Sequence, residues 1–76
     1  MKTYQANVLI HVDETLEAAQ FTALQGALEG IEGVSDVHPS TRNHLVSVAY
    51  DPLSTRARVI VDKARQLGLN AQVVGL

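Results

Sequence analysis

"HLVSVAYDPLSTRARVIVDKARQLGLNAQVV", residues 44–74, decides the fold. Its opening alternates, with Val46, Val48 and Tyr50 on one face, as a half-buried strand does. "DPLST" breaks that strand. A helix follows over about residues 54–67, because Leu53, Ala57, Ile60, Val61, Ala64 and Leu67 form an apolar stripe at helical spacing. Gly68 ends the helix, and "AQVV" (71–74) reads as a further strand.

The preceding half repeats the order. In "YQANVLIHV", residues 4–12, Tyr4, Ala6, Val8, Ile10 and Val12 share one face. Gln5, Asn7, Leu9 and His11 share the other. Leu24, Ala27, Leu28 and Ile31 then stand at i, i+3, i+4 and i+7, with Phe21 extending the stripe backward, which predicts a helix. Asp13 or Thr15 is expected to cap it, and Glu14 and Glu17 lie near its positive end. Gly30 or Gly33 is the expected left-handed terminator. "VSDV" (34–37) is a short strand, and "HPSTRNH" (38–44) is its turn, punctuated by Pro39, Ser40 and Asn43.

The order βαββαβ folds most simply as two interleaved split βαβ units. The expectation is an α+β, ferredoxin-like sandwich: a four-stranded antiparallel sheet, order 4-1-3-2, with both helices on one face. Residues 1–76 are read as a single domain.

Composition narrows the function classes. Hydrophobic residues make up 46% and charged residues 18% of the chain, a globular balance. A net charge of −2 gives no overall attraction to nucleic acid or anionic lipid. A nucleic-acid-binding sheet also needs aromatic residues on its open face. Here Tyr4 and Tyr50 have core parity, and Phe21 is helical. Residues 1–14 lack the pattern of a secretory leader, and no apolar run is long enough to span a membrane. The default expectation is a cytoplasmic protein. No nucleophile–base set or Gly-rich phosphate loop stands out, so no enzyme is expected.

"GALEGIEGVSDV" (26–37) together with residues 44–74 resembles the heavy-metal-associated domains, the family of small copper chaperones and the N-terminal modules of metal-pumping ATPases. That resemblance implies the ferredoxin-like fold, a metal-carrying role and partners in a metal or redox system. The family motif is Met-x-Cys-x-x-Cys. Counted back from Gly33–Val34, its cysteines fall on Glu17 and Gln20 and its methionine on Thr15. The chain has no cysteine. Cu(I) selectivity requires thiolate or thioether sulfur, so the family's soft-metal chemistry is not implied here.

Two site readings remain. Strand ends and loops of the proposed topology bring His11, His38 and His44 to one edge of the sheet, beneath Asp13, Glu14 and Glu17. Such a set suits Zn²⁺, Ni²⁺ or Co²⁺. His11 has open-face parity and His44 core parity, so these two are expected to point apart. The other reading is a protein interface. Helix two carries Arg56, Arg58, Lys63 and Arg65, four of the six basic residues, whereas Glu14, Glu17, Glu29 and Glu32 cluster about helix one. Docking of an acidic protein partner on helix two, or association of two copies, follows from that segregation. Ala19, Ala23, Gly26 and Gly30 line helix one, expected either to pack tightly on helix two or to receive a partner. Leu9, Leu45 and Ala49 are expected on the open sheet face, a patch suited to a homodimer. The preferred reading is a non-enzymatic protein-binding module without a cofactor, and the alternative is a His/carboxylate metal carrier.

Overall fold

The computed structural model describes residues 5–39 and 44–75. The core-facing place expected for Tyr4 and the turn residues Ser40 and Asn43 lie outside the described residues.

Strand β1 (Ala6–Val12) leads to helix α1 (Ala18–Glu29), then strands β2 (Val34–Pro39) and β3 (Leu45–Tyr50), helix α2 (Ala57–Gln66) and strand β4 (Ala71–Gly75). The strands form one antiparallel sheet in the order β2-β3-β1-β4, which is the expected 4-1-3-2 read from the other side. Val8 faces Val48 and Ile10 faces Val46 in the β1–β3 register.

Period-two patterning does its work on one face. Val8, Ile10, Val12, Val37, Val46, Val48, Tyr50 and Ala71 are buried there against Leu24 and Leu28 of α1 and Ile60, Val61 and Ala64 of α2. Leu24 and Leu28 are each 1% exposed. Truncating either to alanine removes a filled volume that the neighbours cannot fully close, a loss of about 2–5 kcal/mol.

Three element boundaries differ from the sequence expectation: the starts of α1 and α2 and the end of β2. α1 starts at Ala18 with Glu17 as its N-cap, rather than at Asp13 or Thr15. Of the two glycines expected to end it in a left-handed conformation, Gly33 does so at φ +101°, while the C-cap Gly30 is right-handed at φ −73°. β2 runs on through His38 and Pro39, which were expected in the turn, because it continues pairing with β3 as far as Val46.

α2 starts at Ala57 because Asp51 holds residues 53–55 in a turn. Its Oδ1 accepts the Leu53 N–H at 2.9 Å and its Oδ2 accepts the Ser54 hydroxyl at 3.1 Å. Its carbonyl accepts the N–H groups of Ser54 and Thr55. Leu53, counted into the apolar stripe by spacing, is therefore off the helix and 82% exposed. Leu67, past the last helical turn, is 46% exposed. Gly68 ends α2 at φ +89°, as expected from its place after the stripe.

Candidate functional site

The edge of the sheet where β1 ends and β3 begins carries the loop of residues 13–17 and the start of α1. Glu17 and Gln20 close on each other there. Gln20 Oε1 accepts the Glu17 backbone N–H at 3.0 Å, and the Glu17 carbonyl accepts the Phe21 N–H at 2.8 Å as the first helical bond. This is the reaching-back half of a capping box, and it satisfies a donor that the helix itself leaves open. A pair at i, i+3 in the first turn thus serves the backbone.

Glu14 is committed as well. Its Oε1 accepts the Asn70 N–H and its Oε2 the Asn70 side-chain amide, both at 2.9 Å. The Asp13 N–H donates to the Asn70 carbonyl at 3.0 Å. Loop 13–17 is clamped to the loop that follows α2.

The histidines divide into a pair and a singleton. His11 and His44 stand with ring centroids 6.0 Å apart. Strict alternation predicted that they point apart. The correction lies in the backbone: His44 adopts φ +59°, a left-handed conformation that breaks strand parity just before β3. Its Nδ1 lies 3.2 Å from the Glu14 carbonyl, and its own carbonyl accepts the Val12 N–H. His11 Nδ1 lies 3.2 Å from Asp13 Oδ1 but without hydrogen-bond geometry, and that buried nitrogen has no partner among the described residues. His38 is elsewhere. It faces Ser47 across β2–β3 and pairs with Asp36 Oδ2 at 2.6 Å. Of the six proposed ligands His11, Asp13, Glu14, Glu17, His38 and His44, the structure brings the first three and His44 to one edge. It ties Glu14 to Asn70 and Glu17 into a cap. Among the described residues no three His, Asp or Glu groups are arranged to hold a metal ion.

The basic helix is also less uniform than its composition. Asp62 sits between Arg58 and Arg65, with N–O distances of 3.8 and 3.6 Å. Arg65 Nε further donates to the Ala71 carbonyl at 2.9 Å, binding α2 to β4. Arg56 and Lys63 make no ion pair among the described residues. Asp62 was legible as a counter-charge at i+4 and i−3, and the Gln20 cap as a three-residue spacing. The Glu14–Asn70 clamp carried no local signal.

The small-residue line of α1 does not pack on α2. Ala19, Ala23, Gly26 and Gly30 are all exposed, and a Cβ placed on Gly26 would meet nothing within 4 Å. On the open sheet face Leu9 is 37% exposed, while Leu45 and Ala49 are half-buried beside Ser47. No helix among the described residues is long and apolar enough to cross a membrane.

No protein-family profile and no curated protein matches this chain. Solved structures do. The N-terminal domain of a potential copper-translocating P-type ATPase from Bacillus subtilis, in its Cu(I)-loaded state, superposes with TM-score 0.85 at 19% identity, covering 95% of this chain and 90% of that one. Oxidized MerP from Ralstonia metallidurans gives 0.81 at 20% identity, covering 92% and 97%. The yeast copper transporter domain Ccc2a gives 0.80 at 19% identity, covering 90% and 93%. At these identities the likeness is one of fold. The fold is that of heavy-metal-associated domains, on a chain with no cysteine.

Proposed function

We propose that this chain is a non-enzymatic, protein-binding module that has the heavy-metal-associated fold without its sulfur chemistry. The observation that carries the reading is the 3.0 Å bond from the Glu17 N–H to Gln20 Oε1. The two positions that correspond to the family's cysteines are occupied by a helix cap, whose groups are hard or neutral oxygen and amide donors. Cu(I) is held by soft sulfur ligands, so the loop offers it nothing. Similar structures include an ATPase N-terminal domain and a metallochaperone. A module of that shape that carries no Cu(I) retains a surface with which to meet other proteins, and the expected partner belongs to a metal or redox system.

Two surfaces support docking. The outward side of α1 presents Ala19, Ala23 and Gly26, small enough for another backbone to come close. On α2, Arg56 and Lys63 are the cations not engaged by Asp62. An acidic partner meeting them gains mainly in association rate. The test is binding of native-host partners to the wild-type chain and to a Lys63→Glu variant across a salt series. The reading requires binding that weakens with salt and is slowed by the reversal. Equal recovery of the same proteins by both would remove the basic helix as the docking surface.

A second reading rests on the 6.0 Å approach of the His11 and His44 rings. That pair offers two imidazoles, fewer than the three or four protein ligands of a usual Zn²⁺ site, so solvent would have to complete the shell. This reading makes the chain a carrier of a divalent metal, tested by the titration described in the Discussion.

A further inference from the structure

The end of the sheet away from His11 carries a second patch, which shares only Arg56 with the docking surface proposed above. There β3 runs into the turn built on Asp51. Besides the bonds from Leu53, Ser54 and Thr55, the Asp51 N–H donates to the Gly33 carbonyl at 2.7 Å, fastening the turn to the α1–β2 connection. Thr55 is 8% exposed. These bonds fix the backbone path of the turn, and Leu53 stands out in solvent at 82% exposure. An aliphatic side chain carried on an already ordered backbone spares the backbone-ordering part of the cost of association.

Leu53 forms part of the wall of an open groove of about 510 Å³, whose lining also includes Ile31, Glu32, Arg56 and Val59. Val59 is 47% exposed. Knob and groove share one patch. Its rim carries one acid and one base, and neither Glu32 nor Arg56 makes an ion pair among the described residues.

We infer that this patch is the contact between two copies of the chain related by a twofold axis. Leu53 of each copy seats against Ile31 and Val59 of the other, and Arg56 of each meets Glu32 of the other. A twofold contact joins one patch to itself, so the patch must carry both complements. This one holds a projection beside a recess and a cation beside an anion. A partner protein of a single charge sign would satisfy one rim group and oppose the other. The patch is small, which places the contact in the weak, transient class. The inference shares Arg56 with the docking surface proposed above, and Lys63, in the last turn of α2, is the residue that tests that surface separately.

Sedimentation of the full chain from about 10 μM to 1 mM tests it, a range that brackets binding of roughly −4 to −7 kcal/mol. The wild-type mass should rise toward the dimer. Leu53→Asp should be monomeric throughout, with its fold checked by circular dichroism, since the replaced side chain lies in solvent. Glu32→Arg and Arg56→Glu should each weaken association at least about tenfold, equivalent to 1.4 kcal/mol. The double variant Glu32→Arg/Arg56→Glu should regain it, because swapped charges again face each other across the twofold axis. A wild-type chain that stays monomeric at 1 mM overturns the inference. So does association unchanged by Leu53→Asp, or a double variant as weak as the singles.

Discussion

Glu14 and Asn70 are 56 residues apart in sequence and are joined by two hydrogen bonds of 2.9 Å. The carboxylate takes the backbone and side-chain N–H groups of the same residue. In this way the loop before α1 and the loop before β4 act as one unit.

Disrupting that unit should cost stability in a coupled way. Glu14→Ala and Asn70→Ala are each expected to lower the unfolding free energy by about 1 kcal/mol, the usual net worth of such bonds. The double variant should lose less than the sum, since each single change already breaks the shared contact. Urea unfolding of the four proteins measures this. Strict additivity would show that the clamp contributes nothing.

Two glycines should respond in opposite directions. Gly33 has φ +101°, and an added Cβ would lie 2.7 Å from Ser54 Cβ. Gly33→Ala is expected to destabilise by about 2 kcal/mol or more, from backbone strain and overpacking together. Gly26 lies inside α1 with open space around it. Gly26→Ala should stabilise by up to about 1 kcal/mol through helix propensity. Thermal unfolding of both variants is the check, and a stabilised Gly33→Ala protein would contradict the geometry.

Charge on α2 should act on rate. Reversing Arg56 and Lys63 to Glu is expected to slow partner association while leaving the fold intact, and wild-type binding should fall as salt rises, because exposed charges are screened over about 8 Å at physiological ionic strength. Reversing Glu29 and Glu32 should leave partner binding almost unchanged. Stopped-flow or surface-binding kinetics separate these effects. Lys63→Glu alone isolates the partner surface from the twofold contact at Arg56.

The metal reading makes a spectroscopic prediction. Zn²⁺ should shift the ring signals of His11 and His44 together and leave His38 behind, because His38 pairs with Asp36 at a different place on the sheet. His11→Ala should then weaken binding more than tenfold. Independent titration of the three rings would remove this reading.

The fold was legible because alternation and helical spacing are imposed by burial. Ile10, Leu24, Leu28, Val46, Val48 and Ile60 are buried together, as their periods require. The site was less legible because it depends on single backbone and side-chain events. One left-handed residue, His44, reverses the direction that parity assigns. One carboxylate, Asp51, delays α2 and leaves Leu53 in solvent. The Glu14–Asn70 clamp joins loops whose proximity only the folded sheet creates. Asp62 and Gln20, by contrast, stand at spacings that carry their roles, a counter-charge within helical reach of two arginines and a cap three residues into the helix.

The Glu17–Gln20 cap is central, and Cu(I) affinity measures its meaning most directly. The wild-type chain and a Glu17→Cys/Gln20→Cys variant should be titrated with Cu(I) under reducing conditions against a strong competing chelator. The wild-type chain is expected to surrender all of the metal, and the two-cysteine variant to retain about one equivalent on the same fold, as thiolate ligands allow. Stoichiometric Cu(I) retained by the wild-type chain would contradict the account.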